Sequence, residues 1–384
     1  MSQIMMVDLG GQYRRMREEI DEAILACVES AAYIKGPAVG EFERSFAQYH
    51  SVDEVVGCGN GTDALQLALM GLGLKPGDEV IVPSFTYIAT AEVIALLGLT
   101  PVLVDVCPET FTMTVEHMRP AITERTKAVV PVHLYGQCVD IEPILELSKQ
   151  HDIAVVEDAA QAAGAEYTFS DGTVRKAGTL GHIGCTSFFP TKNLGCFGDG
   201  GAVLSNDVEL AKRIRMIASH GQNKKYHHQV IGVNSRLDTL QASVLNVKLR
   251  HLDDFIRRRQ NVAKFYDSAL AEVEGAKTPT RCRKSTHTFH QYTLRVLCGR
   301  RDALRQHLSE SGIPSVVYYP LPMHRQEAFR DVDLRGLKLE NAEMLCEEVL
   351  SLPVHTEMTE RDMERVASAV RGFFVGSTPE LEKI

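Results

Sequence analysis

Tryptophan is absent from the 384 residues, and nothing functional follows from that. The other absences exclude more. No Cys-x-x-Cys spacing occurs among the nine cysteines, Cys27, Cys58, Cys107, Cys138, Cys185, Cys196, Cys282, Cys298 and Cys346. An odd, scattered set in a long chain implies free thiols in a reducing cytoplasm rather than a disulfide framework. No apolar run reaches the ~18–20 residues of a membrane span. The start, Met1-Ser2-Gln3-Ile4-Met5-Met6-Val7-Asp8, has neither the basic opening nor the apolar stretch of a secretion signal. Basic residues are in deficit: the net charge of -9 argues against nucleic acid as a general partner. A few local cations can still build a pocket for an anionic substrate. There is no internal repeat, no low-complexity tract, and no Gly-x-Gly-x-x-Gly at the first strand, which counts against a dinucleotide-dependent oxidoreductase.

What is present describes a water-soluble chain with 24% charged and 44% hydrophobic residues, too long for one small core. From about residue 60 to 205, short apolar runs alternate with helix-like stretches. The runs are Glu79–Val82, Pro101–Val106, Ala128–Val132 and Ala154–Val156; the stretches between them include Thr90–Leu99 and Ile141–His151. Runs buried on both faces and separated by helices indicate an α/β architecture with a mostly parallel central sheet. Leu237–Leu270 reads as one long connecting helix. Beyond it, strands around His290–Val296 and helices at Arg301–Ser311 and Glu360–Phe373 suggest a smaller α+β domain. The expected division is 1–245 and 246–384, with Gly376–Ile384 a frayed tail.

Three groups of residues carry chemistry. Val155-Val156-Glu157-Asp158 ends an apolar strand on an acid, at the sheet edge where ligands gather. Alone, such an acid is more often a helix cap or a turn residue. Thr186–Gly195 sets Ser187 and Lys192 in an apolar, Gly-containing stretch that runs into Gly198-Asp199-Gly200-Gly201 and a strand-like Ala202-Val203-Leu204. Desolvation favours the neutral amine, the form that attacks a carbonyl. Cys58-Gly59-Asn60-Gly61-Thr62-Asp63 opens an amphipathic helix whose terminal amides suit a phosphate. A reactive amine, an acid for a pyridinium nitrogen and a phosphate cup together match what pyridoxal 5'-phosphate (PLP) requires.

The order of motifs resembles the DegT/DnrJ/EryC1/StrS family of PLP-dependent nucleotide-sugar aminotransferases, of fold type I. The resemblance runs through Asp8-Leu9, Tyr33–Pro37, Gly61–Leu65, Ser84–Thr90, Glu157–Gln161, Ser187–Gly201, His290-Gln291-Tyr292 and Tyr319–Pro322. It implies that Lys192 forms the Schiff base and that Asp158 partners the ring nitrogen. Gln161 would meet the ring hydroxyl, Tyr87 would stack on the ring, and Thr62 and Ser187 would hold the phosphate. Gly61 and Asp63 belong to the same cofactor-binding segment. Asn234 would reach the phosphate from the neighbouring copy, implying a homodimer with sites at the interface. Relatives with histidine in place of the lysine deoxygenate; Lys192 selects amination.

The substrate segment runs through His220-Gly221-Gln222, Lys224–His228 and Gly232–Asp238. Asn234-Ser235-Arg236-Leu237-Asp238 resembles members that aminate carbon 3 of a keto-sugar, most of all those acting on UDP-2-acetamido-2-deoxy-3-oxo-glucuronate for bacterial surface polysaccharide (lipopolysaccharide O-antigen). Arg236 would then grip the substrate carboxylate, with His227, His228, Tyr318 and Tyr319 as further substrate residues. A salt bridge with Asp238 is the plainer reading of Arg236. Adjacent histidines on a loop without a Cys or carboxylate cluster imply no metal. The resemblance departs at Tyr318, where those relatives carry histidine. L-glutamate is the expected donor. A neutral dTDP-3-oxo- or 4-oxo-6-deoxyhexose acceptor and a non-catalytic PLP-binding regulator are the alternatives.

Overall fold

The computed structural model describes residues 4–375. The expected tail, Gly376–Ile384, lies outside the described residues. The central sheet has seven strands, in the order Glu54–Cys58, Gly201–Ser205, Ile183–Ser187, Ala154–Asp158, Thr126–Val129, Glu79–Pro83 and Thr100–Val104. Every pairing from Ile183–Ser187 to Thr100–Val104 is parallel. Only Gly201–Ser205 runs against both of its neighbours.

The side-chain alternation of a strand explains how this sheet sits in the core. Val80 and Val82 point into an apolar cluster with Leu65, Leu67, Ile94 and Ile214, beneath the helices Gly61–Leu72, Ala89–Leu96 and Val208–Ile217. Ile81 points the other way, to Val102, Val155, Ile144 and Leu147 under the helix Ile141–Gln150. Each fully buried aliphatic side chain contributes about 1.5–3 kcal/mol. Both faces are therefore covered, as a parallel sheet requires.

A second, three-stranded antiparallel sheet joins Ala276–Lys277, Tyr292–Val296 and Val349–Leu352. Its core holds Tyr266, Tyr292, Leu294, Leu350, Leu352 and Val366, and Ile4 from the start of the chain packs into it. The helices Leu252–Leu270, Arg301–Glu310 and Glu360–Val375 pack further members of this cluster, among them Val262, Leu304 and Val370.

The single helix expected over Leu237–Leu270 is corrected. Two helices form, Thr239–Leu249 and Leu252–Leu270, and the expected cut at 245/246 falls inside the first. The first is buried on most of its circumference, against the helices Arg17–Ser30 and Pro37–His50. The second buries one stripe of Leu252, Phe255, Ile256, Val262 and Tyr266. The change in burial direction needs a turn at Arg250 and His251, and Glu19 holds it by accepting from both side chains at 2.8 and 3.1 Å. No glycine or proline marks the turn.

Candidate active site

The carboxyl ends of four central strands converge on one cavity of about 450 Å³. Glu54–Cys58 leads into Asn60, Gly61 and Thr62. Glu79–Pro83 leads into Thr86 and Tyr87. Ala154–Asp158 ends on Asp158 itself, and Ile183–Ser187 ends on Ser187 and continues to Lys192. This is the edge where open α/β sheets bind ligands.

The cup at the first strand is built by close backbone approach. The Asn60 side chain accepts from the Asp63 amide at 2.8 Å and so caps the helix Gly61–Leu72. A Cβ on Gly61 would stand 2.6 Å from the Ser187 Cβ, and one on Gly201 only 2.4 Å from the Asn60 carbonyl. Two glycines thus bring a helix N-terminus against the Ser187 hydroxyl. Thr62 and Ser187 line the cavity at this helix N-terminus, where terminal amides and the two hydroxyls could hold a phosphate.

Asp158 is 7% exposed. Its Oδ2 accepts from Thr90 Oγ1 at 2.8 Å and its Oδ1 from the Ala160 amide at 3.1 Å, so the carboxylate has one orientation. Gln161 is fixed from both ends: its Oε1 accepts from the Tyr135 amide at 2.8 Å, and its Nε2 donates to the Tyr319 hydroxyl at 3.1 Å. Burial raises the Tyr319 hydroxyl well above its ordinary range. Tyr87 is 56% exposed and borders the cavity with its ring centroid 6.1 Å from that of Tyr319. Burial draws the Lys192 ammonium down to about 8, with the Asp158 charge acting in the opposite sense. An amine that sheds its proton near neutrality, an oriented acid and a phosphate cup fit PLP. When bound, that cofactor supplies an electron sink for carbanion chemistry.

Beside Asp158, the wholly buried Glu157 faces the other side of the strand. It accepts from the amides of Gly178, Leu180 and Gly181 at 2.8, 2.6 and 2.7 Å, and from His133 Nε2 at 2.7 Å. His133 Nδ1 accepts from the Val139 amide, so Nε2 carries the proton. Glu157→Ala strands four donors at once, three of them buried. It should lower stability by about 3–5 kcal/mol, read as a fall in the denaturant midpoint; an unchanged midpoint would refute the anchoring role.

Of the residues singled out in the sequence, Gly61, Thr62, Tyr87, Asp158, Gln161, Ser187, Lys192, Tyr318 and Tyr319 line this cavity. Asp63 does not: its carboxylate accepts from Ser235 Oγ at 2.6 Å, and Ser235 Oγ accepts from the Gly59 amide at 2.9 Å. Asn234 is exposed and bridges to Ser219. Arg236 borders a different cavity of about 480 Å³, shared with Lys35, Arg44 and Arg215. His227 and His228 form the exposed second strand of a short hairpin with Gln222–Lys224. Among the described residues, no group of three or more His, Cys, Asp or Glu is placed to hold a metal.

Sequence reasoning gave no role to Thr90, which orients Asp158, although it stands at the end of the quoted Ser84–Thr90 run. It also gave no individual role to Asn60, Thr86, His290 and Gln291, which stand in the quoted motifs, or to Tyr135, and all five line the cavity. Tyr135 has no local signal: it arrives from a turn with φ of +60° and donates its hydroxyl to the Tyr318 carbonyl.

Comparison with known proteins agrees with this geometry. The model of the DegT/DnrJ/EryC1/StrS aminotransferase family matches residues 14–371. A UDP-2-acetamido-2-deoxy-3-oxo-D-glucuronate aminotransferase of Pseudomonas aeruginosa is 43% identical, over 95% of this chain and 98% of its own. A dTDP-3-amino-3,4,6-trideoxy-alpha-D-glucose transaminase of Streptomyces venezuelae is also 43% identical, over 95% and 94%. The crystal structure of S. venezuelae DesV, solved with a ketimine intermediate, superposes with a TM-score of 0.93 at 42% identity over 100% of both chains. The chain belongs to the DegT/DnrJ/EryC1/StrS family, as a PLP-dependent aminotransferase acting on nucleotide-linked sugars.

Proposed function

We propose that the protein transfers an amino group from L-glutamate to carbon 3 of UDP-2-acetamido-2-deoxy-3-oxo-glucuronate, in the cytoplasmic supply of bacterial surface polysaccharide. Arg236 carries this reading. Its guanidinium has no ion-pair partner among the described residues, Asp238 included. Its neighbours are fixed: Ser235 is tied to Asp63 and Gly59 beside the phosphate cup, and Leu237 is buried. A free, planar cation on a pinned loop is suited to a bidentate carboxylate.

Arg236 and Asn234 stand outside their own chain's Lys192 cavity. In this reading they serve the site of a second copy, and the working form is a homodimer. No helix among the described residues is long and apolar enough to cross a membrane.

Arg236→Lys keeps the charge and loses the fork. It should cut kcat/KM for the 3-oxo-uronate about tenfold to a hundredfold, the worth of a charge-assisted hydrogen bond, and leave a neutral 3-oxo-sugar within about threefold. The substrate is generated in situ by an NAD-dependent dehydrogenase and amination is followed by product separation. Equal losses on both sugars would sink the carboxylate clamp. Full activity of a monomer in light scattering would sink the shared site.

A neutral dTDP-3-oxo-6-deoxyhexose is the second reading, and Tyr318 favours it. Burial raises this half-buried hydroxyl, with Gln291 opposing, so it adds no positive charge beside a carboxylate at neutral pH. The same assay with neutral keto-sugars decides between the two.

A further inference from the structure

Lys248 is a buried cation bonded to no carboxylate among the described residues. It sits on the helix Thr239–Leu249 and is 2% exposed. Its Nζ donates to one neutral acceptor, the Gly195 carbonyl, at 2.7 Å, and lies 4.7 Å from the centre of the Phe197 ring. Burial pulls its ammonium down to about 8. Its helix neighbours Leu245 and Leu249 belong to an apolar cluster with Phe188 and Leu194, and a methionine of similar length would be buried there without the desolvation cost of a cation.

The acceptor explains the cost. Gly195 stands three residues after Lys192, in the loop from Phe188 to Gly200. That loop is closed at its neck, with the Phe188 amide on the Gly200 carbonyl and the Cys196 amide on the Phe188 carbonyl, at 2.7 and 2.8 Å. Inside it the Lys192 amide donates to the Phe189 carbonyl at 2.8 Å. A Cβ on Gly195 would stand 2.4 Å from the Pro190 carbonyl oxygen, so the limb after Lys192 lies directly on the limb before it.

Three side chains fasten this loop to its surroundings, one of its own and two from the helix Thr239–Leu249. Asn193 Nδ2 donates to the Thr288 carbonyl at 3.1 Å. Gln241 Oε1 accepts from the Phe197 amide at 2.8 Å, and Lys248 holds Gly195. Gln241 and Lys248 are seven residues apart, so they lie on one face of their helix.

We propose that Lys248 is a positioning residue for Lys192: by gripping the Gly195 carbonyl it fixes the limb that follows the reactive lysine and thereby sets where its amine can reach. A charge-assisted bond of this kind is stronger than one between neutral groups. Lys192 must meet two partners in turn, the cofactor and the substrate carbon, and a displacement of about 1 Å in such a group can cost a hundredfold in rate.

The test uses the PLP-loaded enzyme. Lys248→Met should lower kcat about tenfold to a hundredfold with KM for the keto-sugar changed less than about threefold. It should also displace the pH midpoint at which the visible absorbance of the Lys192-bound cofactor titrates. Lys248→Arg, which still donates to Gly195, should recover part of both. A Lys248→Met enzyme with wild-type kcat and midpoint would overturn the proposal, as would losses that Lys248→Arg does not reduce. If Lys248→Met fails to fold, Gln241→Ala tests the same link by freeing the Phe197 amide. A displaced midpoint in that variant supports the proposal, and an unmoved one overturns it.

Discussion

Lys192→Ala should lower kcat by about 10²–10⁴-fold, the range associated with a positioned proton-transfer group, and leave the protein unable to hold PLP covalently. The expected effect is this large because the proposed role gives the residue two tasks. Its amine would hold the cofactor and, once released, would carry a proton to and from the substrate. Both need the neutral form, and burial brings that form within reach by drawing the ammonium down to about 8. Lys192→Arg should be as inactive as alanine despite its charge and length, because a guanidinium does not deprotonate. The measurement is the change in visible absorbance when L-glutamate is added to the PLP-loaded protein, followed by turnover with a keto-sugar. Turnover of either variant within tenfold of the parent would remove Lys192 from the chemistry.

How far the sequence reaches can be seen at particular residues. The strands at Glu79–Pro83 and Ala154–Asp158 are legible because burial on both faces demands continuous apolar runs, and the chain supplies them. The reversal at Gly201–Ser205 can also be derived. Parallel neighbours need a long crossover, usually a helix, whereas the Gly- and Pro-bearing segment between Ser187 and Gly201 contains no helix and returns directly. The break at Arg250 is not legible, because Glu19, more than two hundred residues away, holds it.

In the site, strand-end residues such as Asp158 and Ser187 are legible through the α/β pattern. Asp63 shows where that logic stops. Its place in a helix's first turn puts it near the cup, yet its side chain turns to Ser235, a partner named by no local spacing. Gln161 and Tyr135 meet because two loops converge at the same sheet edge, which only the packed molecule specifies.

Asp158→Asn isolates charge from shape. Asparagine has nearly the same volume, and its amide can still meet the Thr90 hydroxyl and the Ala160 amide that orient the native carboxylate. The fold should therefore persist, with the denaturant midpoint close to that of the parent. Function should not. In the proposed site Asp158 would hold the cofactor's ring nitrogen in its protonated form, the form in which the cofactor supplies its electron sink. Removing one preorganised electrostatic group from a buried site typically costs about 10²–10³ in kcat, and that is the loss expected for Asp158→Asn. Asp158 also raises the Lys192 amine against the effect of burial, so the variant's free amine should lose its proton at lower pH than the parent's. The two effects pull apart in one pH series. A defect that came only through Lys192 would vanish at high pH, where the amine is neutral in parent and variant alike; one that comes through the ring nitrogen persists there, because only acid returns that proton. Recovery to within tenfold of the parent at high pH would remove Asp158 from the ring-nitrogen role and leave it only a partner of Lys192.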